Sequence, residues 1–118
     1  MNNVIFADDD PGVQDAFKLM FERAGYQVTI FPNGNALLRN EYEQPDIFIL
    51  DKQLSGVDGL DICRYLKHQD STQHIPVIML SASPLISRLA PVAGADDYME
   101  KPFRMKELLA MVNKYILK

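Results

Sequence analysis

Near its start the chain reads Val4-Ile5-Phe6-Ala7-Asp8-Asp9-Asp10, four apolar residues followed at once by three carboxylates. Later runs share this character, being apolar at nearly every position and ending at a polar or turn residue. They are Val28-Thr29-Ile30-Phe31, Ile47-Phe48-Ile49-Leu50, Val77-Ile78-Met79-Leu80 and a weaker run, Tyr98-Met99. Continuous apolar runs of this length are typical of strands that are buried on both faces of a parallel sheet.

Stretches with helical spacing separate these runs. The first predicted helix begins at Pro11 with Asp10 as its cap, and the second is a short helix around Ala36-Leu37-Leu38. A third begins behind Asp58, and the last runs from about Met105 to Tyr115. Strand and helix thus alternate five times. This alternation predicts an α/β fold, a doubly wound five-stranded parallel sheet with helices on both faces.

The fourth helix is predicted to be short or irregular. Pro91 has no N–H and its ring clashes with the carbonyl four residues back, so residues 83–92 hold at most about two turns. Within this segment we expect Leu85 and Leu89 to face the sheet, and Ile86 to be exposed. A short helix with little buried area is also expected to be the most mobile part of the molecule.

Length and composition limit the classes of protein. The 118 residues predict one domain, residues 1–118, and 47% hydrophobic with 24% charged residues is ordinary for a globular protein. A net charge of −4 without a basic run argues against nucleic-acid binding through this domain. The longest uncharged apolar stretch, Ile75–Ser87, is too short for a membrane span. Lys18 is the first basic residue and Cys63 the single cysteine, which predicts a cytoplasmic protein without a signal peptide.

Charged and hydroxyl side chains end the predicted strands. In doubly wound sheets the carboxyl ends of the strands meet at one edge, where ligands bind. The residues expected there are Asp8, Asp9, Asp51, Ser81 and Lys101. Three neighbouring carboxylates repel one another, and Mg²⁺, a hard cation with oxygen ligands, relieves that repulsion. An ammonium and a hydroxyl would hold the oxygens of a phosphoryl group, so the pattern predicts a phosphoryl-acceptor site.

Several motifs, in order and close to the expected spacing, make the chain similar to the receiver domain of bacterial response regulators. They are Ile5-Phe6-Ala7-Asp8-Asp9-Asp10-Pro11, Asp46-Ile47-Phe48-Ile49-Leu50-Asp51, Asp58-Gly59, Ser81-Ala82, Ala93-Gly94-Ala95-Asp96-Asp97-Tyr98 and Lys101-Pro102-Phe103. The resemblance covers essentially the whole chain. It implies a flavodoxin-like fold and a regulatory role, not that of an enzyme: a two-component phosphorelay receiver, phosphorylated by a histidine kinase or a histidine phosphotransfer protein. The implied output is a downstream effector protein or an effector domain trimmed from this chain.

The resemblance also implies a role for each matching residue. Asp51 would be the phosphorylated aspartate, and Mg²⁺ would be held by Asp8, Asp9, Asp51 and the backbone carbonyl of Gln53. Lys101 would bind the phosphoryl group, across a cis bond from Pro102.

Two further residues are implied to form the switch. Ser81 would supply the hydroxyl that follows the phosphoryl group, and Tyr98 the aromatic ring that turns inward after it.

The sequence departs from the family pattern in two loops. Leu54-Ser55 replaces the usual Met-Pro after the phosphorylation site, so we expect a looser turn there. Gln53 and Ser83 occupy the positions that flank the attacking water in the family and tune the lifetime of the phosphoryl group.

Two other hypotheses stay open at this point. In a phosphohydrolase of the haloacid-dehalogenase type, Asp8 would be the nucleophile and Asp10 the general acid, with Ser81 and Lys101 in support. Against it, 118 residues leave no room for a cap domain, and Asp96-Asp97 precedes its strand instead of following it. The other hypothesis is a receiver-like binding module that has lost phosphorylation, although every chemical position holds a competent residue.

Overall fold

The computed structural model describes residues 2–116. Its strands are β1 (Asn3–Ala7), β2 (Gln27–Phe31), β3 (Ile47–Asp51), β4 (Gln53–Leu54), β5 (Val57–Asp58), β6 (Val77–Ser81) and β7 (Asp97–Glu100). Its helices are α1 (Pro11–Arg23), α2 (Asn35–Leu38), α3 (Gly59–Lys67), α4 (Ile86–Val92) and α5 (Met105–Ile116). Five strands form a parallel sheet in the order β2-β1-β3-β6-β7, which confirms the predicted fold class.

The central strands are buried because helices cover both faces of the sheet. Alternate residues of β3 therefore enter different cores: Ile47 and Ile49 pack with α1 and α5, whereas Phe48 and Leu50 pack with α2, α3 and α4. A strand with two buried faces needs an apolar residue at every position. This is the physical reason for the continuous runs in the sequence.

The first helix begins where the sequence predicts. The Asp10 side chain accepts hydrogen bonds from the N–H groups of Gly12 and Val13, and Pro11 is the first helical residue. In the core beneath α1 and α5, the ring of Phe17 stacks on Phe6 with centroids 4.1 Å apart.

No helix in the described part of the chain has the length and apolar character needed to cross a membrane.

The fourth helix is short, as predicted, but its buried face differs from the expected one. α4 has seven residues and contains Pro91 in its last turn. Ile86 is fully buried and Leu85 is 53% exposed, so the predicted orientation of these two residues was wrong. The reason is the start of the helix: a turn closed by the Ile86 N–H on the Ser83 carbonyl delays it to residue 86. Ile86 and Ala90, one turn apart, then face the sheet.

The loop after β3 is also more regular than expected. Instead of a looser turn, β4 pairs antiparallel with β5 through Gln53 opposite Asp58 and Leu54 opposite Val57. The two-residue connection is Ser55-Gly56, and Gly56 has φ +79°, a conformation that glycine adopts without strain. The hairpin lies directly behind the carboxyl end of β3.

Candidate functional site

The residues that end the central strands lie at one edge of the sheet. Asp51 pairs in register with Leu80 of β6, and Ser81 pairs with Glu100 of β7. The Lys101 N–H donates a hydrogen bond to the Ser81 carbonyl at 2.8 Å, which continues this alignment past the end of β7. The carboxyl ends of β3, β6 and β7 are therefore level with one another.

Lys101 joins two carboxylates at this edge. Its Nζ atom lies 3.2 Å from Oδ2 of Asp8 and 3.3 Å from Oδ2 of Asp51. Asp8 is completely buried and Asp51 is 6% exposed, whereas the Lys101 side chain reaches solvent in part. The peptide bond between Lys101 and Pro102 is cis. One ammonium group thus neutralises part of the charge of two acids from different strands.

The same edge offers a set of oxygen ligands. Asp8, Asp9 and Asp51 each present a carboxylate oxygen, and these oxygens all lie within 4.8 Å of one another. Asp9 is exposed, while the buried Asp8 accepts a hydrogen bond from the Asp10 N–H at 2.8 Å. Carboxylate oxygens without histidine or cysteine suit Mg²⁺, so the residues present fit a magnesium ion.

Burial changes the proton affinity of the two central groups. It raises the pKa of Asp51 above that of an ordinary aspartate; Lys101 and the Gln53 backbone N–H oppose this rise, and the charge of Asp8 adds to it. For Lys101, burial lowers the pKa, but the nearby charges of Asp51 and Asp8 outweigh it, and the pKa is raised. Lys101 is therefore a permanent positive charge beside a carboxylate that is poorly solvated and correspondingly basic.

The remaining predicted residues surround this pair. Ser81, at the end of β6, is 3% exposed, and its Oγ accepts a hydrogen bond from the Ser83 N–H at 3.0 Å. Tyr98 lies on the edge strand β7 and is 37% exposed. Gln53 begins β4, two residues beyond Asp51, and its backbone N–H offsets part of the rise that burial causes in the pKa of Asp51.

An apolar cleft of about 390 Å³ opens next to Lys101. It lies between the start of α1, the segment after β6 and the segment that leads into α5. Its lining consists of Val13, Ala82, Lys101, Pro102, Phe103 and Met105. Apolar surface therefore lies immediately beside Lys101.

Two residues that the sequence analysis names without a role also belong to the site. Ser55, in the hairpin turn, donates its hydroxyl to Oδ2 of Asp9 at 3.2 Å. Gly59 lies so close to β3 that a Cβ atom there would be 2.1 Å from the Asp51 carbonyl oxygen. The Ser-Gly pair is a recognised turn signal, but the two-residue strands beside it are too short for any periodicity to reveal.

Asp10, the general acid of the phosphohydrolase hypothesis, has a different environment from Asp8. Its carboxylate accepts the N–H of Gly12 at 2.8 Å and that of Val13 at 3.4 Å, so it caps α1. Asp10 does not belong to the cluster of metal-ligating oxygens in the described residues. The position of Asp10 therefore argues against its acting as a general acid beside Asp8.

Fold and site together define a flavodoxin-like domain with an acidic, lysine-bearing pocket at the carboxyl edge of its sheet. The chain belongs to the response regulator receiver domain family, which matches residues 4–113, and is thus a receiver domain of two-component signal transduction.

Individual relatives agree with this assignment. The chain is 39% identical over 113 residues to the transcriptional regulatory protein CseB of Streptomyces coelicolor, covering 93% of this chain and 47% of CseB. It therefore spans about half the length of the curated relatives it matches.

Solved structures show the same fold. The BeF3-activated receiver domain of DrrB, from Thermotoga maritima, superposes with a TM-score of 0.88 at 28% identity, covering 100% of this chain and 99% of that one. The receiver domain of the sensor histidine kinase PA1611 of Pseudomonas aeruginosa gives 0.88 at 28% identity, covering 99% and 98%. That structure has a magnesium ion coordinated in its active-site cleft.

Proposed function

We propose that residues 1–118 form a single receiver domain that accepts a phosphoryl group on Asp51 from a phosphohistidine of a histidine kinase or histidine phosphotransfer protein. The observation that carries the proposal is the Lys101 ammonium, 3.3 Å from the buried Asp51 carboxylate. In the transfer, a carboxylate oxygen of Asp51 forms a bond to phosphorus as the phosphorus–nitrogen bond breaks. The bonding electrons stay on the imidazole nitrogen, which takes up a proton from solvent.

Different residues of the site act in phosphoryl transfer and in hydrolysis of the phosphorylated form. Lys101 and the Ser81 hydroxyl hold the oxygens of the phosphoryl group as charge develops on them. Loss of the group by water attack on phosphorus regenerates Asp51 and inorganic phosphate. Gln53 and Ser83 flank the path of that water and set its rate. These steps are self-catalysed reactions of a regulatory domain, not turnover of a metabolic substrate.

Mg²⁺ is the cofactor of the proposed site, held by Asp8, Asp9, Asp51 and the backbone carbonyl of Gln53. The support is the cluster of carboxylate oxygens within 4.8 Å of one another. When bound, the ion neutralises the charge of the carboxylates and of the phosphoryl oxygens. Without it, the mutual repulsion of the three acids destabilises the fold.

A neutral amide at one of these acids tests the metal assignment. We expect Asp9→Asn to stabilise the metal-free protein by about 0.5–2 kcal/mol, because one repulsive charge is removed. The same substitution should abolish the rise in melting temperature that Mg²⁺ gives the wild type by linkage. Equal Mg²⁺-induced shifts in the two proteins would contradict the assignment.

The proposed output is a change in the packing of Tyr98. Phosphoryl oxygens at Asp51 attract the Ser81 hydroxyl, and the Tyr98 ring, 37% exposed in this structure, turns into the space that Ser81 leaves. NMR of ring-labelled tyrosine with and without beryllofluoride, a phosphoryl mimic, measures the change. Unchanged Tyr98 resonances would remove this residue from the mechanism.

Two kinds of partner follow from the proposal. The donor protein docks on the apolar cleft beside Lys101, where Phe103 and Met105 extend the contact surface. The recipient is a downstream effector protein or an effector domain of the same protein. We further propose that these encounters occur in the cytoplasm, in keeping with the one buried free thiol, Cys63, and that this domain itself contacts neither nucleic acid nor membrane.

Intact mass spectrometry after incubation with acetyl phosphate and Mg²⁺ tests the central claim. We expect one phosphoryl adduct on the wild type and none on Asp51→Asn, because among the described residues the other carboxylate beside Lys101, that of Asp8, is completely buried. An adduct that survives in Asp51→Asn but is lost in Asp8→Asn would favour the phosphohydrolase hypothesis instead. No adduct on the folded, Mg²⁺-binding wild type would favour the binding module that has lost phosphorylation.

A further inference from the structure

The hairpin formed by β4 and β5 lies against the acidic cluster. The backbone N–H of Gln53 at its start lies near the Asp51 carboxylate, whose pKa it helps to lower, and the Ser55 hydroxyl in its turn donates to Asp9. Two of the three carboxylates are therefore contacted by one short hairpin. Gln53 pairs with Asp58 and Leu54 pairs with Val57 in the hairpin. These two pairs fix the position of the turn relative to β4.

The far end of the hairpin is joined back to Lys52, the residue that follows β3. The Gly59 N–H donates to the Lys52 carbonyl at 2.7 Å, directly behind Asp51. The Lys52 ammonium pairs with Oδ2 of Asp58 at 3.1 Å. Ser55 is consequently held in place by backbone contacts, although its side chain is exposed.

Asp9 accepts the Ser55 hydrogen bond in the same conformation in which its carboxylate lies near those of Asp8 and Asp51. Asp9 is exposed and its side chain is free to leave the cluster, unlike that of the fully buried Asp8. The bond from Ser55 to Oδ2 of Asp9 exists while Asp9 also has an oxygen within 4.8 Å of those of Asp8 and Asp51. The hydroxyl therefore favours an Asp9 orientation that suits metal binding.

We propose that Ser55 is a positioning residue of the magnesium site, acting through Asp9. Outer-shell hydrogen bonds that orient a ligating carboxylate increase metal affinity because the ion no longer has to order that ligand. The inference rests on the proposed function, since it requires that the cluster binds Mg²⁺. It assigns a role to the serine that replaces the proline expected at this position.

Mg²⁺ titrations of three variants test the inference. Removing the hydroxyl in Ser55→Ala should raise the Kd for Mg²⁺ by about 3- to 10-fold, less than the roughly 10- to 100-fold usual for outer-shell partners, because both side chains are exposed. Ser55→Thr keeps the hydroxyl and should restore an affinity close to that of the wild type. The matched control is Ser71→Ala, an exposed serine in the loop before β6, at the other end of the sheet.

Phosphorylation by acetyl phosphate gives a second readout that a general loss of stability would not produce. At limiting Mg²⁺ the initial rate for Ser55→Ala should fall by the same factor as the affinity. At saturating Mg²⁺ it should equal the wild-type rate, since the reacting groups are unchanged.

The outcomes separate the two proposals. A wild type that binds Mg²⁺ and is phosphorylated, with Ser55→Ala of equal or tighter affinity, overturns the role of Ser55 and leaves the proposed function intact. Failure of Ser55→Thr to restore the affinity also overturns it, because the hydroxyl would then not be the cause. A wild type that does not bind Mg²⁺ overturns both proposals.

Discussion

Gly59 lies in backbone contact with the proposed phosphoacceptor. A Cβ atom at this position would be 2.1 Å from the carbonyl oxygen of Asp51 and 3.0 Å from Cα of Lys52. Both are main-chain atoms of the strand end, so neither moves without moving the site. Because glycine has no Cβ atom, the first residue of α3 can pack directly against the end of β3. This close approach explains why the residue after the Asp58 cap is glycine.

We expect Gly59→Ala to destabilise the protein by about 3 kcal/mol or more, since the added methyl overpacks rigid backbone. It should also weaken Mg²⁺ binding, because Asp51 shifts. The control is Gly12→Ala in the first turn of α1, where a Cβ atom meets only the Asp10 side chain at 3.3 Å, and a change within about 1 kcal/mol is expected. Urea unfolding measures both. Equal effects of the two substitutions would show that the strand end tolerates the methyl.

Cys63 is the second residue whose behaviour follows from its surroundings. The thiol is buried between α3 and α4, with Sγ 3.5 Å from the Ala93 carbonyl oxygen. Burial, opposed in part by Lys67, raises the pKa of Cys63 from 9.0 to about 11. The folded protein thus keeps this proton to a higher pH than the unfolded chain. The thiol accordingly makes stability fall as pH rises through the window from about 9 to 11.

We expect alkylation of Cys63 by iodoacetamide at pH 8 to be at least about 100-fold slower in the native protein than in denaturant, from the lower thiolate fraction alone. Mass spectrometry follows the reaction at the single cysteine of the chain. Similar rates in the two states would mean that α3 and α4 separate readily.

At the scale of elements, α4 is a short helix whose first turn has no side-chain cap. The segment that leads into α4 contains the hydrogen bond from the Ser83 N–H to the Ser81 hydroxyl oxygen. A phosphoryl group on Asp51 would compete for that hydroxyl. Within the helix, Pro91 offers no N–H to the Ser87 carbonyl four residues back. Ile86 and Ala90 are the buried residues of α4, whereas α1 buries the rings of Phe17 and Phe21 along thirteen residues.

Hydrogen exchange should therefore find residues 83–92 less protected than α1 in the unphosphorylated protein, and better protected with beryllofluoride. Pro91→Ala restores the missing N–H and should raise the protection of α4 while leaving α1 unchanged. Protection of α4 equal to that of α1 in the wild type would contradict this prediction and show that the proline is accommodated without cost.

At the scale of the whole molecule, one sheet joins two cores. Neighbouring residues of β6 point to opposite faces, Ile78 into the core with α1 and α5, and Met79 into the core with α3 and α4. Both side chains are fully buried. Because the strands are common to both cores, loss of packing on one face removes support from the other.

We expect Ile78→Ala and Met79→Ala each to destabilise the entire domain by about 2–5 kcal/mol. Unfolding should remain a single transition, with coincident midpoints by circular dichroism and by exposure of the Cys63 thiol. Separate midpoints for Ile78→Ala, with the thiol still protected, would mean that the two faces unfold independently.

Much of this molecule was predictable from local patterns. Continuous apolar runs predicted the central strands β1, β3 and β6 most clearly, because burial on both faces is recorded at every position of such a strand. The polar residues that stop those runs gave Asp8, Asp51 and Ser81 as residues of one edge, because parallel strands end together. Pro91 was enough to predict that the fourth helix is short.

Other features depend on contacts that no local pattern records. Lys101 meets Asp8 across 93 residues of sequence, and only the assembled sheet gives their distance of 3.2 Å. The predicted buried face of α4 was wrong because a turn at Ser83 delays the start of the helix to residue 86. A later start changes which side chains face the sheet. The Ser55 contact with Asp9 is likewise tertiary, since it joins loops from β1 and β3. Sequence thus determined which groups reach the edge of the sheet, and packing determined their distances, burial and proton affinity.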